Sequence, residues 1–136
     1  MPYAAVLAAV AALTVAGCDS STKGHVQAAD GGNVAACADG QCEIAVPAGT
    51  AITVPRSMAV QDLTLTEVTS DRITITAQDI GTTSNGTCSG ECHSSTDNGA
   101  LTATMGEDAH LTENGLSLVV ESIDGGTAVL KLEPTG

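Results

Sequence analysis

Apolar and polar residues alternate one by one along most of the chain after residue 33, and this period of two constrains the fold more than any other feature. In residues 72–77 isoleucine and alanine alternate with threonine, and residues 63–66, 101–105 and 128–133 repeat the pattern. Successive side chains of a strand point to opposite faces, and the β-branched residues Ile, Val and Thr favour strands. Residues 34–136 are therefore predicted to form one all-β domain.

Turn-forming residues separate these runs, as expected for short antiparallel strands. They are found at Asp39-Gly40, 47–49, 69–71, Asn114-Gly115 and 124–126. About seven or eight short strands at this spacing predict a small antiparallel β-sandwich or barrel. We expect residues 116–123 and 127–132 to form the last hairpin.

Aromatic residues are almost missing, and this excludes several kinds of ligand. Tyr3 is the only aromatic residue among 136. Sugar-binding modules, readers of single-stranded nucleic acid and quaternary-ammonium cages all depend on aromatic faces. The formal net charge of −12 would also repel a phosphate backbone. Nucleic acid is therefore not an expected partner.

Residues 1–17 are predicted to be a signal peptide. Residues 4–15 are apolar apart from Thr14, and at 1.5 Å per helical residue they reach roughly 18 Å, which is too short to span a bilayer. A short apolar run followed by small residues is typical of exported chains. Because residues 1–3 carry no Lys or Arg, we expect the natural translation start to lie further upstream.

The motif Val15-Ala16-Gly17-Cys18 resembles the lipobox of bacterial lipoproteins. In that family the cysteine thiol receives a diacylglyceryl group, and a peptidase cuts just before it. The resemblance implies that Cys18 is the lipidation site, that acyl chains such as palmitate anchor the protein, and that it faces outside the cytoplasm at the cell membrane. The Ala-, Gly- and Thr-rich composition is similar to that of small lipoproteins from high-GC Gram-positive bacteria.

Residues 18–33 are predicted to be the lipidated cysteine and a flexible tether. Residues 19–33 are small and polar, include His25, and show no apolar periodicity. A random coil of this length spans on the order of 20 Å, so we expect the β domain to lie close to the membrane.

Cys37 and Cys42 are the first of two cysteine pairs expected to form local disulfides. Four cysteines after Cys18 allow three pairings in an oxidising compartment. Asp39-Gly40 favours a two-residue hairpin turn, which would bring Cys37 and Cys42 face to face at about 4.5 Å between Cα atoms. The local sequence thus favours a cross-strand disulfide.

Cys88 and Cys92 lie in residues 78–99, which are rich in Gly, Ser, Thr and Asn and are predicted to be a long loop. A second disulfide that pins this loop is the first interpretation. The alternatives are a copper-type metal site, formed by Cys88, Cys92 and His93 with His110 or Asp97, and a redox-active pair tuned by Glu91 and His93.

The functional expectation is a non-enzymatic cell-envelope lipoprotein whose β domain binds or shields an envelope protein or a small ligand. No catalytic triad, nucleophile elbow or phosphate-binding loop is recognisable in the sequence, and no cofactor is expected. The alternative is a metal-binding or thiol-redox lipoprotein that uses Cys88, Cys92 and His93.

Overall fold

A computed structural model describes residues 27–81 and 84–135 as ten β-strands and two short 3₁₀ helices. The expected signal peptide, the lipidation site at Cys18, His25 and most of the tether lie outside the described residues. Among the residues that are described, no helix is long and apolar enough to cross a bilayer.

The strands form two antiparallel sheets of five strands each, packed as a sandwich. The first sheet has the order β1-β10-β9-β8-β5, and the second has the order β2-β3-β4-β7-β6. The strands are β1 (Cys42–Pro47), β2 (Thr50–Ile52), β3 (Val60–Val68), β4 (Arg72–Asp79), β5 (Gly86–Ser89), β6 (Cys92–Asp97), β7 (Ala100–Gly106), β8 (His110–Glu113), β9 (Leu116–Asp124) and β10 (Thr127–Pro134). The helices span Val34–Asp39 and Arg56–Met58. The all-β sandwich prediction is confirmed, with more strands than the expected seven or eight.

The core lies between the sheets and follows the period-two pattern. On β4, Ile73, Ile75 and Ala77 are buried, whereas the threonines between them are partly exposed. Ile75 is paired with Ala103 of β7, which is also fully buried. Each fully buried Ile or Leu side chain contributes about 1.5–3 kcal/mol, so alternation along the strands is the main source of stability.

The last hairpin is confirmed. β9 pairs with β10, and Thr127 lies opposite Asp124 across a turn of Gly125 and Gly126. Both glycines have positive φ, 61° and 81°, a conformation that glycine adopts without steric cost. A β-bulge between Val129 and Leu130 shifts the register further along the pair.

The prediction of a long loop at residues 78–99 is wrong. β4 continues to Asp79, and the stretch contains the whole of β5 and β6. β5 pairs with β8, and β6 pairs with β7. Sequence patterning missed both strands because their inward positions carry Gly, Cys, Ser and Thr instead of aliphatic residues, so the period-two signal is absent.

The predicted hairpin at Asp39-Gly40 is also wrong, although the chain does reverse there. Residues Val34–Asp39 form a 3₁₀ helix that is capped by Gly40 with φ 87°. A partner strand cannot form because residues 30 and 31 already occupy the free edge of β1. The backbone N–H of Asp30 donates to the carbonyl of Glu43 over 2.9 Å, and that of Ala45 donates to the carbonyl of Gly31 over 2.8 Å. The ordered domain therefore begins before the predicted boundary at residue 34.

Candidate functional site

The two sheets meet along two edges that differ in chemistry. We call the first the apolar edge: β1, β2 and the 3₁₀ helix Val34–Asp39, which packs against both strands. We call the second the polar edge: β5 of the first sheet and β6 of the second, joined by Gly90 and Glu91. Consecutive strands cross from one sheet to the other at each edge. The crossing at the polar edge lies between Cys88 and Cys92, whereas Cys42 lies at the other end of β1 from the crossing at the apolar edge.

Both cysteine pairs expected from the sequence are bonded in the structure. Cys37 and Cys42 have Cα atoms 4.9 Å apart and are 0% and 5% exposed. Cys88 and Cys92 have Cα atoms 5.4 Å apart and are only partly buried. The second disulfide joins the edge strands of the two sheets, so it closes one end of the polar edge.

The residues of the alternative metal site are not brought together. The sulfurs of Cys88 and Cys92 are bonded to each other, so in this state they offer no thiolate. His93 is exposed on the outward side of β6, and Asp97 lies at the other end of that strand. The Nε2 atom of His110 lies 2.7 Å from the hydroxyl of Ser117. Among residues 27–81 and 84–135, no group of three or more His, Cys, Asp or Glu could hold a metal ion.

A cleft of about 200 Å³ opens between the sheets at the polar edge. Its rim includes Ser84, Ser94 and Thr96, which are all exposed, and its floor includes the buried residues Leu111 and Glu113. The cleft is therefore a recess with hydroxyl groups at its mouth and a carboxyl group at its base.

The hydroxyl groups enter the cleft because of the strand register. Ser94 pairs with Ala103 and Thr96 pairs with Leu101, both of which are buried on the inward face of β7. Directly paired residues of an antiparallel sheet share a face, so Ser94 and Thr96 also face the inside of the sandwich. Polar residues thus occupy positions that aliphatic residues fill elsewhere in the fold.

Glu113 is the most buried polar residue of the site, at 2% exposure. Its Oε2 atom has no hydrogen-bond partner within the described part of the chain. Gly86 lies opposite it in the β5–β8 pair, and a Cβ atom there would come within 2.6 Å of Oε1 of Glu113 and 2.5 Å of the Thr112 carbonyl. The bare backbone of Gly86 is what leaves room for the carboxyl group.

Burial, and then the negative charge of Asp79, raises the pKa of Glu113 above its ordinary value. The nearby hydroxyls of Thr96 and Ser84 lower the pKa of Glu113 by a smaller amount. These groups favour the ionised form, whereas desolvation opposes it. Burial and the charge of Asp79 outweigh the hydroxyls, so the neutral form of Glu113 is favoured more than in an exposed glutamate.

Asp79 is a second buried carboxyl at this end of the sandwich, at 5% exposure. Its Oδ1 atom accepts a hydrogen bond of 3.1 Å from the side-chain amide of Asn114, which also donates to the carbonyl of Ala59 over 2.9 Å. Its Oδ2 atom has no hydrogen-bond partner among the residues described. Asn114 therefore holds Asp79 by one oxygen only.

Sequence reasoning missed both Glu113 and Asp79, although a signal was present. Asp79 continues the inward series of Ile73, Ile75 and Ala77, and Glu113 follows Leu111 by two residues. A carboxylate at the position where the alternation requires an apolar residue is rarely fully buried without a partner. That mismatch would have singled out these two residues.

A different pair of carboxyl groups lies on the outer face of the first sheet. The side chains of Glu43 and Glu121 hydrogen-bond to each other, and this bond raises the pKa of Glu121 to about 7, with burial and the charge of Glu43 adding to the shift and Lys131 opposing it. The same bond, together with the backbone N–H of Ala29, lowers the pKa of Glu43. The two carboxyls therefore titrate as a pair, with the pKa of Glu121 raised and that of Glu43 lowered.

No family model, no curated protein and no solved structure matches this chain.

Proposed function

We propose that the chain is a lipid-anchored protein of the bacterial cell envelope whose β-sandwich domain binds a ligand or partner without catalysing a reaction. The observation that carries this proposal is the motif Val15-Ala16-Gly17-Cys18 directly after the apolar residues 4–15. Two acyl chains on Cys18 would give the stable anchoring that a single chain does not provide.

The cysteines of the β domain support an extracytoplasmic location. Both pairs are bonded in the fold, and such structural disulfides persist in oxidising compartments. The cleft at the polar edge supports a binding role because small-molecule sites are concave and carry a few converging polar groups. The strongly acidic composition suits a soluble surface outside the cell.

The test of the anchor is metabolic labelling with an alkyne-tagged palmitate in a bacterial host that processes lipoproteins. The wild-type chain is expected to incorporate the label and to sediment with membranes. The Cys18→Ala variant should lose the label and keep residues 1–17. A double variant, Cys88→Ala with Cys92→Ala, is the matched control and should remain labelled. An unlabelled wild-type chain, or a labelled Cys18→Ala variant, would contradict the proposal.

A thiol-redox role for Cys88 and Cys92 is the second candidate, and one observation favours it. This disulfide is partly buried, whereas the Cys37–Cys42 bond is buried in the core. Redox-active disulfides are reached by partner thiols, which requires exposure. A thiol–disulfide exchange with an external dithiol of known potential would test this role. Equilibration of the pair at a potential below about −300 mV would mark it as a structural bond instead.

A further inference from the structure

Two buried carboxyl groups lie at this end of the sandwich, Glu113 on β8 and Asp79 on β4. Neither Glu113 nor Asp79 forms an ion pair within residues 27–81 and 84–135, and each has one oxygen without a hydrogen-bond donor there. A buried carboxylate in this situation is costly, and the cost is relieved by protonation or by a bound cation. The site is therefore suited to a ligand that brings positive charge and hydrogen-bond donors.

The cleft allows such a ligand to reach Glu113 from solvent. Ser84, Ser94 and Thr96 are exposed at the mouth, whereas Glu113 is buried at the base. The volume of about 200 Å³ is below that of the usual pockets for drug-sized ligands, which begin at roughly 300 Å³. The occupant must be small.

A metal ion fits this donor set poorly. Calcium takes six to eight oxygen ligands, mainly carboxylates and carbonyls, and the described residues contain no cluster of three or more acidic, His or Cys side chains. A primary ammonium group has three N–H donors and no acceptor. These donors match the carboxylate of Glu113 at the base of the cleft and the hydroxyl oxygens of Ser94 and Thr96 that line it. A quaternary ammonium ion has no N–H donor and would need aromatic faces, which this domain lacks.

We propose that the cleft at the polar edge binds the ammonium group of a small primary amine, with Glu113 as the counter-charge and the hydroxyls of Ser94 and Thr96 as additional hydrogen-bond acceptors. Gly86 is required because its missing side chain makes the space that the carboxyl occupies. This inference goes beyond the proposed envelope role, and it does not depend on the lipid at Cys18.

The test is a titration of the full chain in neutral detergent, followed by nuclear magnetic resonance of the Glu113 carboxyl carbon and the Gly86 and Thr96 amides. Methylammonium and ethanolamine are the probes, and tetramethylammonium is the matched cation without N–H donors. We expect saturable shifts with a Kd in the millimolar range for both primary amines and none for tetramethylammonium. Calcium chloride is a separate arm.

Three variants test whether binding depends on the cleft. Glu113→Gln keeps the shape of the side chain and removes its charge, so binding should weaken by at least about tenfold. Glu67→Gln, which removes the same charge from an exposed position on β3, should bind like the wild type. Thermal unfolding shows whether each variant is folded, and Thr96→Val serves as a second cleft variant with an expected several-fold loss.

Three outcomes would overturn the inference. They are the absence of saturable shifts up to about 100 mM amine, equal binding by Glu113→Gln and wild type, and preferential saturation by calcium or tetramethylammonium. None of these outcomes affects palmitate labelling of Cys18, so failure of the amine site and failure of the lipid anchor are distinguishable.

Discussion

The edge strands at the two edges of the sandwich are held in place in different ways. At the apolar edge, a 3₁₀ helix and residues 30 and 31 cover β1, and inward residues such as Ile44 and Val46 are buried. At the polar edge, β5 and β6 are held by the Cys88–Cys92 disulfide and present Gly86, Ser94 and Thr96 inward. Packed side chains close the apolar edge. A disulfide holds the strands of the polar edge together, and the cleft opens next to that disulfide.

The difference indicates at which edge a binding site costs this domain the least stability. Packing density is what stabilises a core without aromatic residues, so apolar side chains fill the inward positions of the apolar edge, and the recess of about 280 Å³ beside β1 is a shallow one, lined by Asp30, Glu43 and Lys131 among others. The polar edge contributes little apolar burial and keeps its strands together through the disulfide and the backbone ladder. A binding site is therefore least costly to stability at that edge.

The largest expected effect is the difference in stability loss when an inward residue is truncated at the apolar edge and at the polar edge. Ile44→Ala on β1 removes a fully buried side chain and should lower the free energy of unfolding by about 2–5 kcal/mol because it leaves a cavity. Ser94→Ala on β6 should change it by less than about 0.5 kcal/mol. Urea unfolding followed by far-ultraviolet circular dichroism measures both. Equal losses would remove the energetic basis of the comparison.

The two disulfides should differ in both reactivity and stability. Graded reduction followed by alkylation and mass spectrometry should open Cys88–Cys92 before Cys37–Cys42, because only the former is accessible from the surface. Replacing Cys88 and Cys92 by Ala should cost about 2 kcal/mol through the denatured-state entropy of a short loop. The same change at Cys37 and Cys42 should cost more, since it also leaves space in the core. The reverse order of reduction would contradict the assignment of the buried and exposed bonds.

Gly86→Ala tests the close approach of the Glu113 carboxyl to β5. The added Cβ atom would lie 2.5 Å from the Thr112 carbonyl, so the strand or the carboxyl must move, at an expected cost of about 1–3 kcal/mol. Gly32→Ala is the matched control, since its Cβ atom would meet only the Ala45 carbonyl at 3.6 Å. Thermal unfolding of both variants compares them. A Gly86→Ala variant as stable as the wild type would show that the strand or the carboxyl moves without a cost in stability.

The smallest effect is the pH dependence that Glu113 adds to stability. Its pKa is raised in the folded chain, so between the ordinary pKa of a glutamate and the raised value the folded state binds more protons than the unfolded state. Stability should therefore fall as pH rises through this window. Glu113→Gln should flatten that part of the profile, whereas the contribution of Glu121, whose pKa is about 7, should remain in both proteins. Identical profiles would indicate that Glu113 does not titrate there.

Much of the architecture could be predicted from the sequence because it depends on local pattern. The strands around Ile75, Ala103, Leu118 and Leu130 follow from alternation, and the turn at Asn114-Gly115 joins β8 to β9 as expected. β5 and β6 could not be predicted in this way, since their inward faces hold one cysteine each and otherwise only Gly, Ser and Thr. β5 forms because β8 offers a backbone partner more than twenty residues further along the chain, whereas β6 forms a local hairpin with β7 across Asn98 and Gly99.

The candidate site follows the same division. The sequence by itself determined an all-β domain, two local cysteine pairs and a lipobox-like segment, because each depends on residues that are close along the chain. Only the tertiary structure decided that Glu113 and Asp79 share one end of the sandwich and that Gly86, Ser94 and Thr96 surround the carboxyl of Glu113. The physical reason is that a cleft between two sheets is defined by register and packing among distant strands, and no local pattern encodes these.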